Sequence, residues 1–438
     1  MKKLLTLVVL TLVSLCIFAS CNGLGGHTHS FGEWEITKSP TCLAEGEKAR
    51  YCSCGEKQTE VIVALGHTFA DWVTVKEPTV TEEGLKERTC ACGEKDTVII
   101  EKLIASEGLE YELNEDGQGY TVTGIGTCTD TDVFIPNIYE GLPVTSIGYR
   151  AFYNCTGLTS IVIPDSVTSI GNWALNYCIS LTSITVDEDN TSYQSIDGNL
   201  YSKDGKTLIK YAIGKKNASF TISNSVISIG DDAFHECTNL TNIVIPDSVE
   251  TIGESAFAFC SNLSEITLGE SLRIVGDDAF YRCTGLTSIV IPGSVTSIGE
   301  GAFYGCTGLT SIVIPGSVRS IGNRAFYGCT GLTSIVIGDS VTSIGDGAFT
   351  GCTGLTSIVI PDIVTSIGKL AFYDCTGLTS IVIPDSVTII DWHAFLDCTG
   401  LTDVYYTGTE AEWADISIYP DNSYLTNDTK HYNYVPAN

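Results

Sequence analysis

The chain has 438 residues, enough for two or three ordinary domains, and its 43% hydrophobic content is typical of a folded protein. Its formal net charge is −29, so its surface repels the phosphates of nucleic acids and the headgroups of anionic lipids. The composition therefore favours a folded chain over a disordered one, and the charge argues against any nucleic-acid partner.

Residues 1–20 have the pattern of a secretory signal peptide, with two lysines, an apolar run and small residues before Cys21. This apolar run is shorter than a membrane-spanning helix normally requires. The tetrapeptide Phe18-Ala19-Ser20-Cys21 resembles a bacterial lipobox, although Phe18 stands where an aliphatic residue is usual. This resemblance implies that Cys21 is acylated after cleavage. The alternative is ordinary secretion, in which Cys21 is incidental.

Two short modules, residues 29–66 and 67–104, repeat each other. Their matched pairs are His29/His67, Trp34/Trp72, Pro40/Pro78, Gly46/Gly84, Cys52/Cys90, Cys54/Cys92 and Gly55/Gly93. The pattern resembles short cysteine-bearing stalk modules that precede repeats in exported bacterial proteins. We expect small β-rich modules, each with too small a hydrophobic core to be stable without a disulfide or a bound metal ion.

The first module could be stabilised by a bound metal ion or by a disulfide. A zinc site would use His29, Cys42, Cys52 and Cys54, but the second module has Val80 in place of Cys42. A disulfide from Cys42 to Cys52 or Cys54 suits an exported protein better. The third alternative is a module with neither a disulfide nor a metal ion. Because we favour the disulfide, we predict no metal site.

Ten further cysteines set the register of a longer repeat. Eight of their nine spacings are 23 residues and the ninth, from Cys178 to Cys237, is longer by an insertion; the ten are Cys155, Cys178, Cys237, Cys260, Cys283, Cys306, Cys329, Cys352, Cys375 and Cys398. Self-similarity at this period, with Leu and Ile at fixed offsets, predicts a leucine-rich repeat solenoid. Because every coil has the same cysteine between apolar residues, we favour a buried column of thiols over disulfides between coils.

One repeat, residues 302–324, shows how a coil is built. Leu309, Ile312 and Ile314 alternate as a strand with its apolar side inward, and Pro315 ends the strand.

The return path of the coil follows Pro315. Val318 and Ile321 face inward again, and we expect Gly322 to provide a turn with positive φ. Asn323 then stands where the N-cap of a short helical turn belongs.

The recurring sequence C-T-G-L-T-S-I-V-I-P-x-S-V-T-S-I-G-x-x-A-F, as in residues 306–326 and 375–395, resembles the BspA-like leucine-rich repeat family of bacterial surface proteins. The resemblance covers about residues 109–438. It implies a fold that is mainly β with short helical turns.

We divide the chain by these patterns. The segments are a signal peptide (1–20), a linker after Cys21 (21–28), the two modules (29–66 and 67–104), an N-terminal solenoid cap (105–131), the repeats (132–401) with a hairpin insertion at about 187–222, and a C-terminal cap (402–438). The Asp204-Gly205 turn between alternating apolar residues predicts the hairpin.

The sequence has no signature of catalysis. None of the six histidines recurs in the repeat register, and no G-x-S-x-G, H-E-x-x-H or phosphate-binding glycine loop is present. We therefore predict neither an enzyme nor a cofactor, and interpret His235 and His393 as solvated turn residues. A calcium site is an alternative for a row of aspartates after the strand: Asp165, Asp247, Asp339, Asp362 and Asp385.

The outward strand positions align into stripes when the coils stack. These positions are Ser288, Val290, Ser311, Val313, Ser334, Val336, Ser357, Val359, Ser380 and Val382. They form either a contact surface or a merely solvated strand. The family resemblance implies an exported, non-catalytic protein on the outer face of a bacterial envelope that adheres to proteins, host matrix, other cells or envelope polymers. It would touch the membrane only through the lipid anchor. A spacer without a specific ligand is the alternative.

Overall fold

A computed structural model describes residues 29–76, 78–79, 82–427 and 429–436. The chain forms two compact units, one of residues 1–76 with 85–99 and one of residues 77–84 with 100–438. The segments predicted to be a signal peptide and a linker, with Cys21, lie outside the described residues. The prediction of a mainly β fold is confirmed, since the described elements are strands apart from two short helices.

The first unit holds the strands of the two modules. The first module has β1 (Glu35–Lys38), β2 (Gly46–Tyr51) and β3 (Lys57–Ile62), and the second has β4 (Val73–Lys76), β5 (Gly84–Thr89) and β6 (Lys95–Ile100). Each set forms a three-stranded sheet in chain order, and β2 pairs antiparallel with both neighbours. The modules are β-rich, as the sequence predicts.

Little apolar surface is available to hold these sheets together. Ala49 is fully buried in the first module, and the guanidinium of Arg50 lies 5.1 Å from the ring centroid of Phe31 and 4.7 Å from that of Trp34. Arg88 stacks in the same way on the aromatic rings of the second module. Cation–π contacts thus replace part of the missing core.

The second unit is a stack of coils. In chain order its elements are β7 (Glu110–Leu113), β8 (Tyr120–Gly124), β9 (Asp132–Phe134), β10 (Ile138–Tyr139), β11 (Leu142–Ile147), β12 (Ser160–Ile163), β13 (Ser169–Ile170), β14 (Ser183–Val186), β15 (Tyr193–Ile196), β16 (Asn199–Ser202), β17 (Thr207–Lys210), β18 (Ser219–Thr221), β19 (Ser228–Ile229), β20 (Asn242–Val244), β21 (Thr251–Ile252), β22 (Glu265–Thr267), β23 (Ile274–Val275), β24 (Ser288–Val290), β25 (Ser297–Ile298), β26 (Ser311–Ile314), β27 (Ser320–Ile321), β28 (Ser334–Ile337), β29 (Ser343–Ile344), β30 (Ser357–Val359), β31 (Ser366–Ile367), β32 (Ser380–Ile383), β33 (Ile389–Ile390), β34 (Asp403–Tyr406), α1 (Glu410–Ala414), β35 (Ser417–Ile418), α2 (Ser423–Asn427) and β36 (Thr429–His431).

Each regular coil contributes two strands to two separate parallel arrays. The longer strand of a coil pairs with the same strand of a neighbouring coil, as β26 does with β24 and β28. The two-residue strands join a sheet of twelve strands that runs from β15 to β35. Both arrays pair residues one repeat apart, such as Ile312 with Ile335, so the 23-residue register of the sequence is the register of the fold.

The interior of each coil is built from the residues that the repeat predicts. Leu309, Ile312 and Ile314 on the strand side, and Val318 and Ile321 on the return side, are all buried. β26 ends at Ile314, directly before the proline that the sequence identifies as its terminator. The inward pattern read from the sequence is therefore confirmed.

Two columns of side chains run along the core from coil to coil. The phenylalanine rings stack with centroids 4.9–5.5 Å apart between Phe234 and Phe395. Beside them the Cys329 thiol donates a hydrogen bond to the carbonyl oxygen of Phe303, 3.1 Å away in the preceding coil. Cys178 and the cysteines from Cys260 to Cys398 repeat this bond. The carbonyl oxygen of Phe303 also accepts a hydrogen bond from the amide of Cys306 in its own coil, at 3.2 Å, so the thiol adds a second hydrogen bond that links the two coils.

Two sequence interpretations of the return turn are wrong. Gly322 is not the residue with positive φ; that residue is Arg324, at φ 54°. A Cβ on Gly322 would lie 2.5 Å from the carbonyl oxygen of Gly299, so glycine is needed there because neighbouring coils approach closely. Asn323 begins a turn rather than a helix, and its Oδ1 accepts a hydrogen bond from the amide of Asp346 in the next coil, at 2.9 Å.

The insertion and the two caps complete the second unit. The insertion forms two antiparallel hairpins, β15–β16 and β16–β17, and the second turns at the predicted Asp204-Gly205. β17 pairs parallel with β19, so these hairpins continue the twelve-stranded sheet. At the N-terminal end, β7 and β8 form an antiparallel pair, and at the C-terminal end α1 carries a capping box between Thr409 and Glu412.

We predict that truncating one core ring damages the solenoid locally. Phe326→Ala opens a cavity between two stacked rings and should lower the free energy of unfolding by about 3–5 kcal/mol. Because each coil contacts only its neighbours, amide hydrogen exchange should accelerate most in the coils next to residue 326. The exposed Thr330→Ala serves as the control and should leave exchange unchanged. An equal loss of protection along the whole solenoid would contradict this local coupling.

Candidate functional site

A row of valines lies on the outward face of the longer strands. Val290, Val313, Val336 and Val359 are 82%, 57%, 60% and 51% exposed. The serine two residues before each valine, from Ser288 to Ser357, is exposed as well. We call these eight residues the valine–serine face. Contiguous exposed valines on a regular sheet make a flat, mildly apolar surface with the same chemistry in each coil.

The last predicted pair does not belong to this face. Val382 is only 9% exposed and Ser380 is half-buried, although the sequence gives both the same role as their counterparts. Val382 pairs with Tyr405 on β34, and the ring of Tyr405 contacts those of His431 and Tyr434, each with its centroid 4.6 Å away. These aromatic residues belong to the C-terminal cap, where the predicted surface therefore ends.

The aspartate row does not converge on a cation site. The Oδ1 of Asp247 accepts a hydrogen bond from the amide of Glu270, at 2.9 Å, so this carboxylate serves the backbone of the next coil. Over the described ranges, the clusters of three or more metal-ligating atoms are formed by cysteine and histidine alone. The structure gives the calcium alternative no support.

Cysteine and histidine side chains form two clusters in the first unit. Cys42, His67, Cys90 and Cys92 place their ligand atoms within 4.8 Å of one another, and we call this set the four-ligand cluster. His29, Cys52 and Cys54 form the three-ligand cluster. The four zinc ligands considered from the sequence are thus not brought together. Cys42 lies with ligands of the second module and not with those of its own module.

The same backbone geometry builds the hairpin part of both clusters. In the second module, the amide of Gly93 donates to the carbonyl oxygen of Cys90 at 2.8 Å, and Gly93 has φ +90°. This turn projects Cys90 and Cys92 from the end of a hairpin. An isolated antiparallel bridge between Phe69 and Cys90 brings the segment of His67 alongside, and Nδ1 of His67 lies 3.3 Å from Sγ of Cys92.

The first module repeats this arrangement. Gly55, at φ +91°, donates to the carbonyl oxygen of Cys52, and Phe31 bridges to Cys52. Nδ1 of His29 lies 3.1 Å from Sγ of Cys54.

Hydrogen bonding within the clusters separates the acidities of the thiols. A hydrogen bond from the backbone of Cys92 lowers the pKa of Cys90 to about 6. In the other module, the backbone of Cys54 lowers the pKa of Cys52 to about 6 in the same way. The neighbouring thiols of Cys92 and Cys90 raise the pKa of Cys42 to about 11. By contrast, burial raises the pKa of Cys329 in the solenoid to about 12, so that thiol stays protonated.

A polar junction at the insertion was not predicted from the sequence. Lys210 is buried, and its Nζ donates to the carbonyl oxygen of Asp232 at 2.8 Å and to Oδ1 of Asn176. His235 is only 6% exposed, so its interpretation as a solvated turn residue is wrong, and burial lowers its pKa to about 4. His393 is partly exposed and lies 2.9 Å from a carboxylate oxygen of Asp421. The Lys210 contacts tie the insertion to the coils on both sides of it.

A second aromatic column, on the turn side, was also missed. Its rings contact one another from coil to coil at centroid distances of 4.5–5.4 Å, through Tyr153, Tyr177, His235, Phe259, Tyr281, Tyr304 and Tyr327. The recurring Ala-Phe-Tyr sequence, as at Tyr304 and Tyr327, was the signal in the sequence. Stacking half-exposed rings stabilises adjacent turns.

The described part of the chain contains no helix that is long and apolar enough to cross a membrane.

Comparison with known proteins agrees with this architecture. The family model described as "BspA type Leucine rich repeat region" matches six copies, over residues 131–205, 206–333 and 319–412. No relative with a curated description matches the chain significantly.

Several solved structures are similar to the chain. A leucine-rich cell surface protein from Faecalibacterium prausnitzii is 27% identical, with 72% of this chain and 97% of that chain covered and a TM-score of 0.40. A leucine-rich repeat protein from Bacteroides ovatus is 26% identical, with 75% and 99% covered and a TM-score of 0.39. One from Eubacterium ventriosum is 22% identical, with 67% and 93% covered and a TM-score of 0.44.

The family model matches more than half of the sequence, over the same coils that the structure stacks. The protein therefore belongs to the BspA type leucine-rich repeat family.

Proposed function

We propose that this protein is a lipid-anchored protein of the bacterial cell surface that binds a protein or cell-surface ligand through the valine–serine face. The observation that carries the proposal is the exposure of four equivalent valines in successive coils. A solenoid core does not need apolar side chains on its outside, since the inward residues already fill the coil.

Repetition suits this face to multivalent binding. β24, β26 and β28 pair in register, so Val290, Val313 and Val336 lie opposite one another at the spacing of adjacent parallel strands, about 4.8 Å. A ligand with its own repeated or extended surface meets the same small site several times. Weak contacts of this kind add up to useful avidity.

The charge of the protein restricts the kinds of partner that it can bind. With a net charge of −29, the chain repels acidic surfaces at long range and favours neutral or basic ones. Neutral or basic segments of host matrix proteins, of other cells or of envelope polymers meet this condition. A spacer without a specific ligand is the second candidate, supported by the two small modules between Cys21 and the solenoid.

We predict that charge on the face abolishes binding without unfolding the protein. Val313→Glu, Val336→Glu and Val359→Glu together leave all inward residues unchanged and add three like charges to an already acidic surface. Attachment of cells that display this variant to matrix-coated surfaces should fall at least tenfold, while surface display measured by antibody staining stays normal.

The matched control adds the same three charges elsewhere. Thr307 and Thr330 lie on exposed turns of the coils of Val313 and Val336, and Thr376 lies on the exposed turn of the coil after that of Val359. Their joint replacement by Glu should leave attachment unchanged. Equal attachment by the two triple variants and the wild type would favour the spacer.

The anchor is tested separately. The resemblance of Phe18-Ala19-Ser20-Cys21 to a lipobox supports acylation of Cys21, a residue outside the described part of the chain. Metabolic labelling with a fatty-acid analogue should mark the wild type and not Cys21→Ser. Labelling of both to the same extent would leave secretion without an anchor.

A further inference from the structure

The four-ligand cluster lies where the two modules meet within the first unit. The amide of Leu65 donates to the carbonyl oxygen of Thr41 at 2.9 Å, and the amide of Thr41 donates to the carbonyl oxygen of Ala44 at 2.9 Å. Cys42 follows Thr41, and His67 comes two residues after Leu65. The first module therefore holds its Cys42 beside the first residue of the second module.

The spacing of the ligand atoms matches a tetrahedral metal site and not a disulfide. Sγ of Cys42 lies 3.7 Å from Sγ of Cys90, and Nδ1 of His67 lies 3.3 Å from Sγ of Cys92. Zinc bonds of roughly 2.3 Å to sulfur and 2.0–2.1 Å to nitrogen give tetrahedral edges of about 3.8 Å and about 3.6 Å respectively. A disulfide needs sulfur atoms about 2.05 Å apart, and it would leave the third thiol and the imidazole without a role.

The pattern of cysteines along the sequence agrees with a ligand shared between modules. Cys42 is the only cysteine in the first module outside the C-x-C hairpin, and Val80 takes its place in the second. If the extra cysteine of a module serves the next module, the last module does not need one. Val80 argues against a zinc site within each single module, because the second module would then lack its fourth ligand. It agrees with a site shared between the modules, because the second module has no following module to supply.

We propose that Cys42, His67, Cys90 and Cys92 bind one zinc ion that links the two modules. Three thiolates and one imidazole are a ligand set of closed structural zinc sites, which leave no position for a substrate. The ion cross-links the two modules and so stabilises them, because neither has a large enough apolar core of its own. The three-ligand cluster has the same hairpin and histidine but no fourth ligand among the described residues, so it binds zinc more weakly. This proposal does not depend on the binding role of the valine–serine face.

The test is the zinc content of the full chain, purified from cells in the presence of zinc and dialysed against a weak chelator. The wild type should retain about one zinc ion per chain by elemental analysis. Reconstitution with Co²⁺ should give the visible absorption bands of a tetrahedral site and the near-ultraviolet charge-transfer bands of thiolate ligands. Cys42→Ser and Cys92→Ser should each lose the retained ion and most of the tetrahedral signal.

The matched control is Cys54→Ser, which changes the equivalent hairpin cysteine of the three-ligand cluster. It should keep the ion that resists the chelator. His67→Cys, which preserves four ligands, should also retain zinc, whereas His67→Ala should not. This pair keeps the test decisive even where a cysteine variant fails to fold.

Three results would overturn the proposal. The first is a reduced wild type that takes up neither zinc nor cobalt. The second is Cys54→Ser losing the chelator-resistant ion as completely as Cys42→Ser does. The third is a Cys42–Cys90 disulfide in the protein isolated without reductant, detected as a linked peptide by mass spectrometry. Each would remain compatible with the proposed surface function.

Discussion

The structure of the solenoid depends on one constraint: every coil must offer its neighbour the same groups in the same places. Parallel strands cover only two segments of each coil, one of which is two residues long. In the turns between them, backbone amides pair with carbonyls of the next coil, as Phe326 does with Ala348 at 2.8 Å. Side chains add further links, as when Asn323 accepts the amide of Asp346 and the Cys329 thiol donates to the carbonyl of Phe303. A cysteine or a small polar residue is therefore repeated for its hydrogen bond to the next coil as much as for its size.

The same constraint shapes the outer surface. Outward residues in adjacent coils are brought into line whether or not a ligand uses them, which is why Val313 and Val336 lie opposite each other. The alignment ends where a cap replaces the repeat, and there Tyr405 pairs with Val382. The extent of the valine–serine face is thus limited by the C-terminal cap as well as by the repeats.

The two N-terminal modules solve a different problem. They have no stack of neighbours, and stacking of Arg50 and Arg88 on aromatic rings provides only part of the stability that a core would. A shared zinc site would make the second module depend on the first, as each coil of the solenoid depends on the next. In both halves of the protein, stability then comes from contacts between repeated units rather than from within one unit.

Much of the fold could be predicted from the sequence, because the repeat is a local pattern. The period of 23 residues, the inward side chains such as Leu309 and Ile312, the end of the strand before Pro315 and the turn at Asp204-Gly205 all follow from residues close together in the chain. A residue that contacts the same position in every coil leaves a periodic signal that sequence analysis detects.

Contacts between units were decided only by the tertiary structure. The sequence shows that Gly322 recurs and that a polar residue such as Asn323 follows it in most coils. A local interpretation assigns both residues to their own coil, whereas both serve the contact with an adjacent one. His235 is buried with its ring between those of Tyr177 and Phe259 in the adjacent coils, and Val382 is buried at the cap. Cys42 gave no indication that it lies with His67, since a ligand cluster is defined by distance in space. The local pattern of residues thus predicts the form of one coil and the β-rich character of the modules, whereas the packing between units establishes which side chains meet.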